Sequence, residues 1–301
     1  MDVSVLVAVI CFLFGSGLII LGAFFIRRLI KRQVVQQVLL VLLPVACVEL
    51  NAILLEHTEV AVGLILGTVA FNLAAIGGLM LFYLRLPLAK TLMSTFWVGC
   101  GWLVCMTAGR VNGIGRFGGL GLCIVGIAAL WWYCCQKKIV TFKNTETECI
   151  NQGACVKLRW VFIVSAILLV ALGAWLVVHY HTVVATIVDM PVSVFSQVIL
   201  APICVAAVLV GIRSYGEWQP QKTMLGLSLA NIVLSTIGLG FIALFFGVIH
   251  LTQSMLVITL PWIAGMAVLL IVGACLPQKT ARWWGGLIVV MLLGCIISLM
   301  W

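Results

Sequence analysis

Acidic residues are scarce in this chain. Eight Asp and Glu stand against seventeen Lys and Arg in 301 residues, and charged residues of all kinds make up 8%. Ordinary soluble domains carry about a quarter charged residues, so a soluble globular fold is excluded. Histidine is equally sparse, with four in all. There is no His-Glu-x-x-His, no nucleophile elbow and no pair of histidines read within an apolar segment, so no enzyme is expected. Short alternating segments are missing too, which argues against an outer-membrane barrel. Only one long polar stretch, Gln136–Arg159, interrupts the apolar runs, and it leaves no room for a soluble domain.

What fills the chain is apolar. Hydrophobic residues reach 64% and mean hydropathy is +1.30. A spanning helix needs about 20 residues, and ten such segments are read: 3–25, 34–55, 60–84, 91–108, 117–135, 160–180, 192–212, 223–249, 255–276 and 284–301. The chain is therefore expected to be an all-α polytopic membrane protein. The first segment carries Asp2 ahead of it and its basic cluster, Arg27–Arg32, behind it, the reverse of a cleavable signal. It reads as an anchor helix.

The net charge of +9 does not point to nucleic acid. Fifteen of the basic residues fall in the odd-numbered connections, and only Arg110 and Arg116 fall in the even ones. That bias places the odd connections in the cytoplasm and both termini outside. Ten of the twelve Cys lie within or at the ends of apolar segments, where Cys acts as a small apolar residue. Cys149 and Cys155, in the 136–159 loop, lack the paired spacing of a zinc site.

The loop divides ten segments into five and five. An odd number per half inserts the second half upside down, the arrangement of inverted-repeat transporters. The expected domains are a first five-helix repeat over 1–135, a cytoplasmic loop over 136–159 and a second repeat over 160–301. A faint echo accompanies this. Pro44 corresponds to Pro202, Gly67 and Asn72 to Gly226 and Asn231, and Arg116-Phe117-Gly118-Gly119 to Arg282-Trp283-Trp284-Gly285-Gly286.

One acid lies deep in an apolar run. Glu49 sits five residues after Pro44 in the second segment, where an acid costs roughly 2.5–3.5 kcal/mol on insertion scales. A buried acid on a helix loosened by proline is how many transporters build a cation site near the midplane. Segments 3, 7 and 8 hold the other unusual residues: Gly63, Gly67, Thr68 and Asn72; Ser196, Gln197 and Pro202; Gly226, Ser228, Asn231, Ser235 and Thr236. Small and polar residues of this kind also serve as helix-packing glue, a role that needs no carboxylate. Segments 2 and 7 are expected to bend or break at Pro44 and Pro202. Glu56, His57, Glu59, His179, His181, Asp189 and His250 fall on the outer side, where a cation-attracting mouth and solvated loops are the two readings, the loops favoured, with Asp189 as a helix N-cap ahead of Pro191.

Glu49 through Gly78, with Gly63, Gly67, Thr68, Phe71 and Asn72 in their spacing, resembles the first alpha repeat of the calcium/cation antiporter superfamily. In size the chain is similar to the small bacterial sodium/calcium exchanger-like proteins. Gly109–Gly118 also resembles the short family loop before the fifth helix. The resemblance implies two inverted five-helix repeats in a bacterial inner membrane, with the lipid bilayer and small inorganic cations as partners. It implies no resident cofactor, Na+ and Ca2+ being cargo; oligomeric state stays open. Pro44-Val-Ala-Cys-Val replaces the family's Gly-Thr-Ser-x-Pro ahead of Glu49. Ala207 stands where the second repeat should carry its acid. Calcium favours six to eight oxygens with several carboxylates, so one Glu suits a monovalent cation or a proton better. The expected function is a secondary cation antiporter of sodium/calcium exchanger type, working by alternating access around a midplane site centred on Glu49, with Thr68, Asn72, Ser228 and Asn231. The alternatives are an exchanger relative without transport, acting as scaffold or regulator, and a monovalent cation/proton antiporter.

Overall fold

In a computed structural model, residues 3–29, 33–83, 113–136, 153–206 and 220–301 are described. They are helical throughout, apart from short turns and one isolated antiparallel bridge between Ile114 and Ile249. Helix α1 spans Val3–Leu29 and α2 spans Gln33–Leu54. Rod α3 joins Thr58–Phe71, a π segment at Asn72–Gly78 and Leu79–Tyr83. Helix α4 is Arg116–Gln136 and α5 is Gly153–Ile187. Rod α6 runs from Val192–Phe195 through a π segment at Ser196–Leu200 to residue 206. Rod α7 joins Pro220–Ile232, the π segment Val233–Gly238 and Leu239–Phe246. Rod α8 has a π segment at Met255–Thr259 followed by Leu260–Cys275, and α9 is Gln278–Met300.

These match nine of the ten expected segments. The fourth, 91–108, lies outside the described residues, as does most of the 136–159 loop. Helix α5 begins at Gly153, inside the stretch read as loop, and is 35 residues long.

Among the described residues, five helices are long and apolar enough to cross a membrane: Ser4–Arg27, Trp160–Ile187, Gly226–Phe246, Met255–Cys275 and Lys279–Met300. Their outward residues are apolar, including Leu13, Phe14, Leu168 and Val290, each 60% or more exposed. Exposed apolar surface on this scale needs lipid as its solvent. The chain is an integral membrane protein.

Packing separates a frame from a core. Helices α1 and α5 lie along one another, crossing where Gly15 and Gly173 bring their backbones together. Inside, α3 packs on α6, while α7 packs on α2. The C-terminal part of α3 meets α9 at Gly78 and Gly285, and that of α7 meets α4 at Gly240 and Gly119. A side chain at any of these four glycines would run into the facing backbone. The contacts thus come in matched pairs, one member from each half of the chain.

The turns after α2 and α5 share one design. His57 N–H bonds to the Ala52 carbonyl and Glu56 N–H to Ile53; Met190 N–H bonds to Ala185 and Asp189 N–H to Thr186. Both are Schellman closures, whose left-handed position normally takes glycine. Here Glu56 (φ 61°) and Asp189 (φ 55°) occupy it. Asp189 is therefore not the expected N-cap: that place belongs to Pro191, whose side chain cannot cap.

Candidate functional site

Helix α2 runs unbroken through Pro44. The expected interruption is absent, because losing one ladder bond does not end a helix held on its other faces by packing against α5 and α7. In α6 the irregularity lies before Pro202. Ala201 N–H bonds five residues back to Ser196 instead of four. Pro202 has no N–H to offer, so the Gln197 carbonyl is left without a ladder partner. That carbonyl faces Gly67 of α3, 2.6 Å from the place a Cβ would take. Only glycine lets α3 approach so closely.

Glu49 is 7% exposed and forms no hydrogen bond or ion pair with any described residue. Both its carboxylate oxygens lie 3.7 Å from the position of a Cβ built on Gly238, at the end of the α7 π segment. Ile65 of α3 lies 3.3 Å from the same point. The acid is therefore turned toward α3 and α7.

The other predicted residues gather at a second level. Thr68 and Asn72 are one turn apart on α3, and Ser228 and Asn231 nearly one turn apart on α7; all four are buried. Asn72 Nδ2 donates to Asn231 Oδ1 at 2.7 Å, tying the two rods together. Seven residues separate Ile65 from Asn72, about 10 Å along a helix. Glu49, beside Ile65, and the Asn pair therefore stand at different levels of the bundle, with Thr68 between those levels on α3.

Several buried polar atoms here have no partner: Thr68 Oγ1, Asn72 Oδ1 and Gln197 Nε2. Each such atom costs about 1–3 kcal/mol unless water or an ion satisfies it. Gln197 Oε1 accepts from Thr259 Oγ1 of α8 at 2.7 Å. Ser235 and Thr236 return their hydroxyls to the Asn231 and Ile232 carbonyls and are not free to bind. The sequence offered Gln197 as a polar residue of segment 7, but nothing in it marked the π register that frees its carbonyl. Ala207, opposite Glu49 by the proline alignment, lies outside the described residues. Among the described residues no cluster of three His, Cys, Asp or Glu exists.

The solvated-loop reading fails for one histidine. His181 is fully buried, and its ring lies 6.1 Å from that of His57 and 6.0 Å from Phe195.

No family model matches the sequence, and no curated protein matches it. Solved structures do match across almost the whole chain. The H+/Ca2+ exchanger CAX aligns with a TM-score of 0.68 at 13% identity, over 97% of this chain and 88% of that one. Native YfkE aligns at 0.70 with 12% identity, over 95% and 90%. The sodium-calcium exchanger NCX_Mj, soaked without Na+ and Ca2+, aligns at 0.64 with 18% identity, over 98% and 99%. At such identities the likeness establishes the fold, which is that of the calcium/cation exchangers.

Proposed function

We propose that this chain, built on the exchanger fold, is a secondary cation antiporter whose essential acid is Glu49. The observation that carries the reading is a buried carboxylate with no partner among the described residues, placed where α2, α3 and α7 meet. Below it lie neutral oxygens without partners, Thr68 Oγ1 and Asn72 Oδ1, with Ser228 and Asn231 beside them. An intramembrane acid left unpaired is a functional group by default.

The matched packing of α3 on α6 and α7 on α2, and of α9 on α3 and α4 on α7, supports two repeats related by a two-fold axis. An odd number of helices per half makes them inverted, and the Lys and Arg bias of the connections puts both termini outside. In such a protein transport follows from rocking the core rods α2, α3, α6 and α7 against the frame. The Asn72–Asn231 bond holds α3 and α7 as one moving body.

One carboxylate compensates one positive charge. A monovalent cation exchanging against a proton at Glu49 fits this better than calcium, which favours several carboxylates. The second reading, a relative without transport, is favoured by the separation of Glu49 from the Asn pair.

Reconstitution in proteoliposomes separates these readings. Imposed gradients of Na+, K+, Ca2+ and H+ are expected to drive cation flux that Glu49→Gln abolishes, while yield and unfolding midpoint stay at the parent level. Glu49→Asp should retain part of the flux. Absence of flux with every cation supports the non-transporting reading, and calcium flux that survives Glu49→Gln ends the role given to this acid.

A further inference from the structure

His181 has no place in the cation site. It lies on α5, which packs against α1 and α2, and it is fully buried although its two ring nitrogens make no hydrogen bond. The Val178 carbonyl, one turn earlier, is close to the ring but forms no bond of ordinary geometry. Two unpartnered polar atoms in an apolar setting are an expensive arrangement for a structural residue. A leucine or phenylalanine would fill the same space without that penalty.

The ring does have a neighbour of its own kind. His57, at the start of α3, lies with its centroid 6.1 Å away and its plane inclined by 58°. Phe195 of α6 is a further ring neighbour, at 6.0 Å from His181, and itself meets Phe12 at 5.6 Å. His57 is half-buried and makes no side-chain cap to α3. Its backbone is fixed by the Schellman closure, with Glu56 held at φ 61° just before it. Glu56 and Glu59, both exposed, flank it in the chain.

Zinc bound to imidazole lies at about 2.0–2.1 Å from nitrogen, which sets two rings sharing one ion roughly 5–6 Å apart between centroids. The observed separation needs only a small closure. We infer that His57 and His181 form a binding site for a borderline-soft divalent cation, of the Zn2+ or Ni2+ class, reached through His57. Neutral imidazole is the commonest protein ligand for such ions. A small turn of the His181 ring on binding would let the nearby Val178 carbonyl accept the remaining ring proton, the outer support that metal-bound histidines regularly have. Water completes the coordination, and the exposed carboxylates of Glu56 and Glu59 concentrate divalent cations at the entrance. A bound ion fastens the α2–α3 turn, part of the core, to α5, part of the frame.

The site is tested on the full chain, purified in detergent through an affinity tag free of histidine. ZnCl2 and NiCl2 are titrated by calorimetry and by unfolding midpoint, with MgCl2 as control. The expected result is one Zn2+ per chain and a midpoint that rises with Zn2+ but not with Mg2+. His57→Ala should weaken binding by about tenfold or more, as loss of a metal-supporting group does, and His181→Phe should do the same while keeping the core filled. The double variant His179→Ala/His250→Ala, which removes the other two histidines, should bind as the parent does. Should His181→Phe fail to fold, His57→Ala decides alone. Absence of Zn2+ binding, binding unaffected by His57→Ala, or binding lost in the double variant each overturns the assignment. None of these measurements depends on transport.

Discussion

Replacing Gly67 by alanine tests the closest approach in the core. A methyl group there would stand 2.6 Å from the Gln197 carbonyl oxygen, 2.7 Å from Gln197 Cα and 2.9 Å from Ala201 Cβ. All three belong to backbone or to a short, rigid side chain, so no rotamer change relieves the clash. Ordinary contact begins at 3.4 Å, and α3 and α6 must part by about 0.8 Å. Overpacking of this kind costs about 1–3 kcal/mol, set against a helix gain of about 1 kcal/mol for Ala over Gly. The net expectation is a loss of up to about 2 kcal/mol. Gly17→Ala is the control, since nothing lies within 4 Å of its added methyl and only the helix gain remains. Unfolding midpoints of the two variants in the same detergent should differ by several degrees, with Gly67→Ala the lower. Equal midpoints would refute the packing of α3 on α6, and with it the location of the freed Gln197 carbonyl.

Other consequences are as direct. Asn72→Leu strands the Asn231 carbonyl oxygen and should cost about 1–3 kcal/mol, whereas adding Asn231→Leu removes the orphan and should recover part of that loss; additive losses would mean the 2.7 Å bond contributes nothing. Labelling with membrane-impermeant thiol reagents should reach a cysteine placed at position 57 from outside and Cys149 or Cys155 only from inside. The opposite pattern would reverse the charge-based topology.

Sequence carried the fold to the extent that hydrophobicity carries it. Apolar runs of membrane length located α1, α5, α8 and α9 without further information, because each helix must satisfy its own backbone in lipid. The site was legible only as a set of residue types. Glu49 announced itself by the expense of an acid at depth, and Asn72 and Asn231 by their spacing. Nothing in the sequence placed Glu49 beside Gly238 instead of beside that pair, since the choice depends on how α7 rotates through its π segment. Helix register of that sort is decided by tertiary packing, and one additional residue per turn leaves no compositional trace. The proline argument erred for the same reason. Proline weakens a ladder at a known place, but whether the helix then breaks, bends or shifts register depends on the neighbours that hold it. His181 was misread because two residues of a solvated loop and the last turns of a long helix look alike when the helix end is misplaced by seven positions.

The π segments carry the last step. They occur in α3, α6, α7 and α8, while α1, α2, α4, α5 and α9 are regular among the described residues. Irregular backbone is tolerated at membrane depth only where protein or a wet cavity satisfies the displaced carbonyls. Rods α3, α6 and α7 meet that condition by enclosing one another, and α8 joins them through Thr259 on Gln197. Three of the buried polar side chains without partners among the described residues are on these same rods, Thr68 and Asn72 on α3 and Gln197 on α6, while His181 on α5 belongs to the pair with His57. Around Glu49, backbone irregularity and unsatisfied side chains therefore fall on the same rods. That coincidence suits the cation site proposed there, which must exchange one set of oxygen partners for another as its ion arrives and leaves.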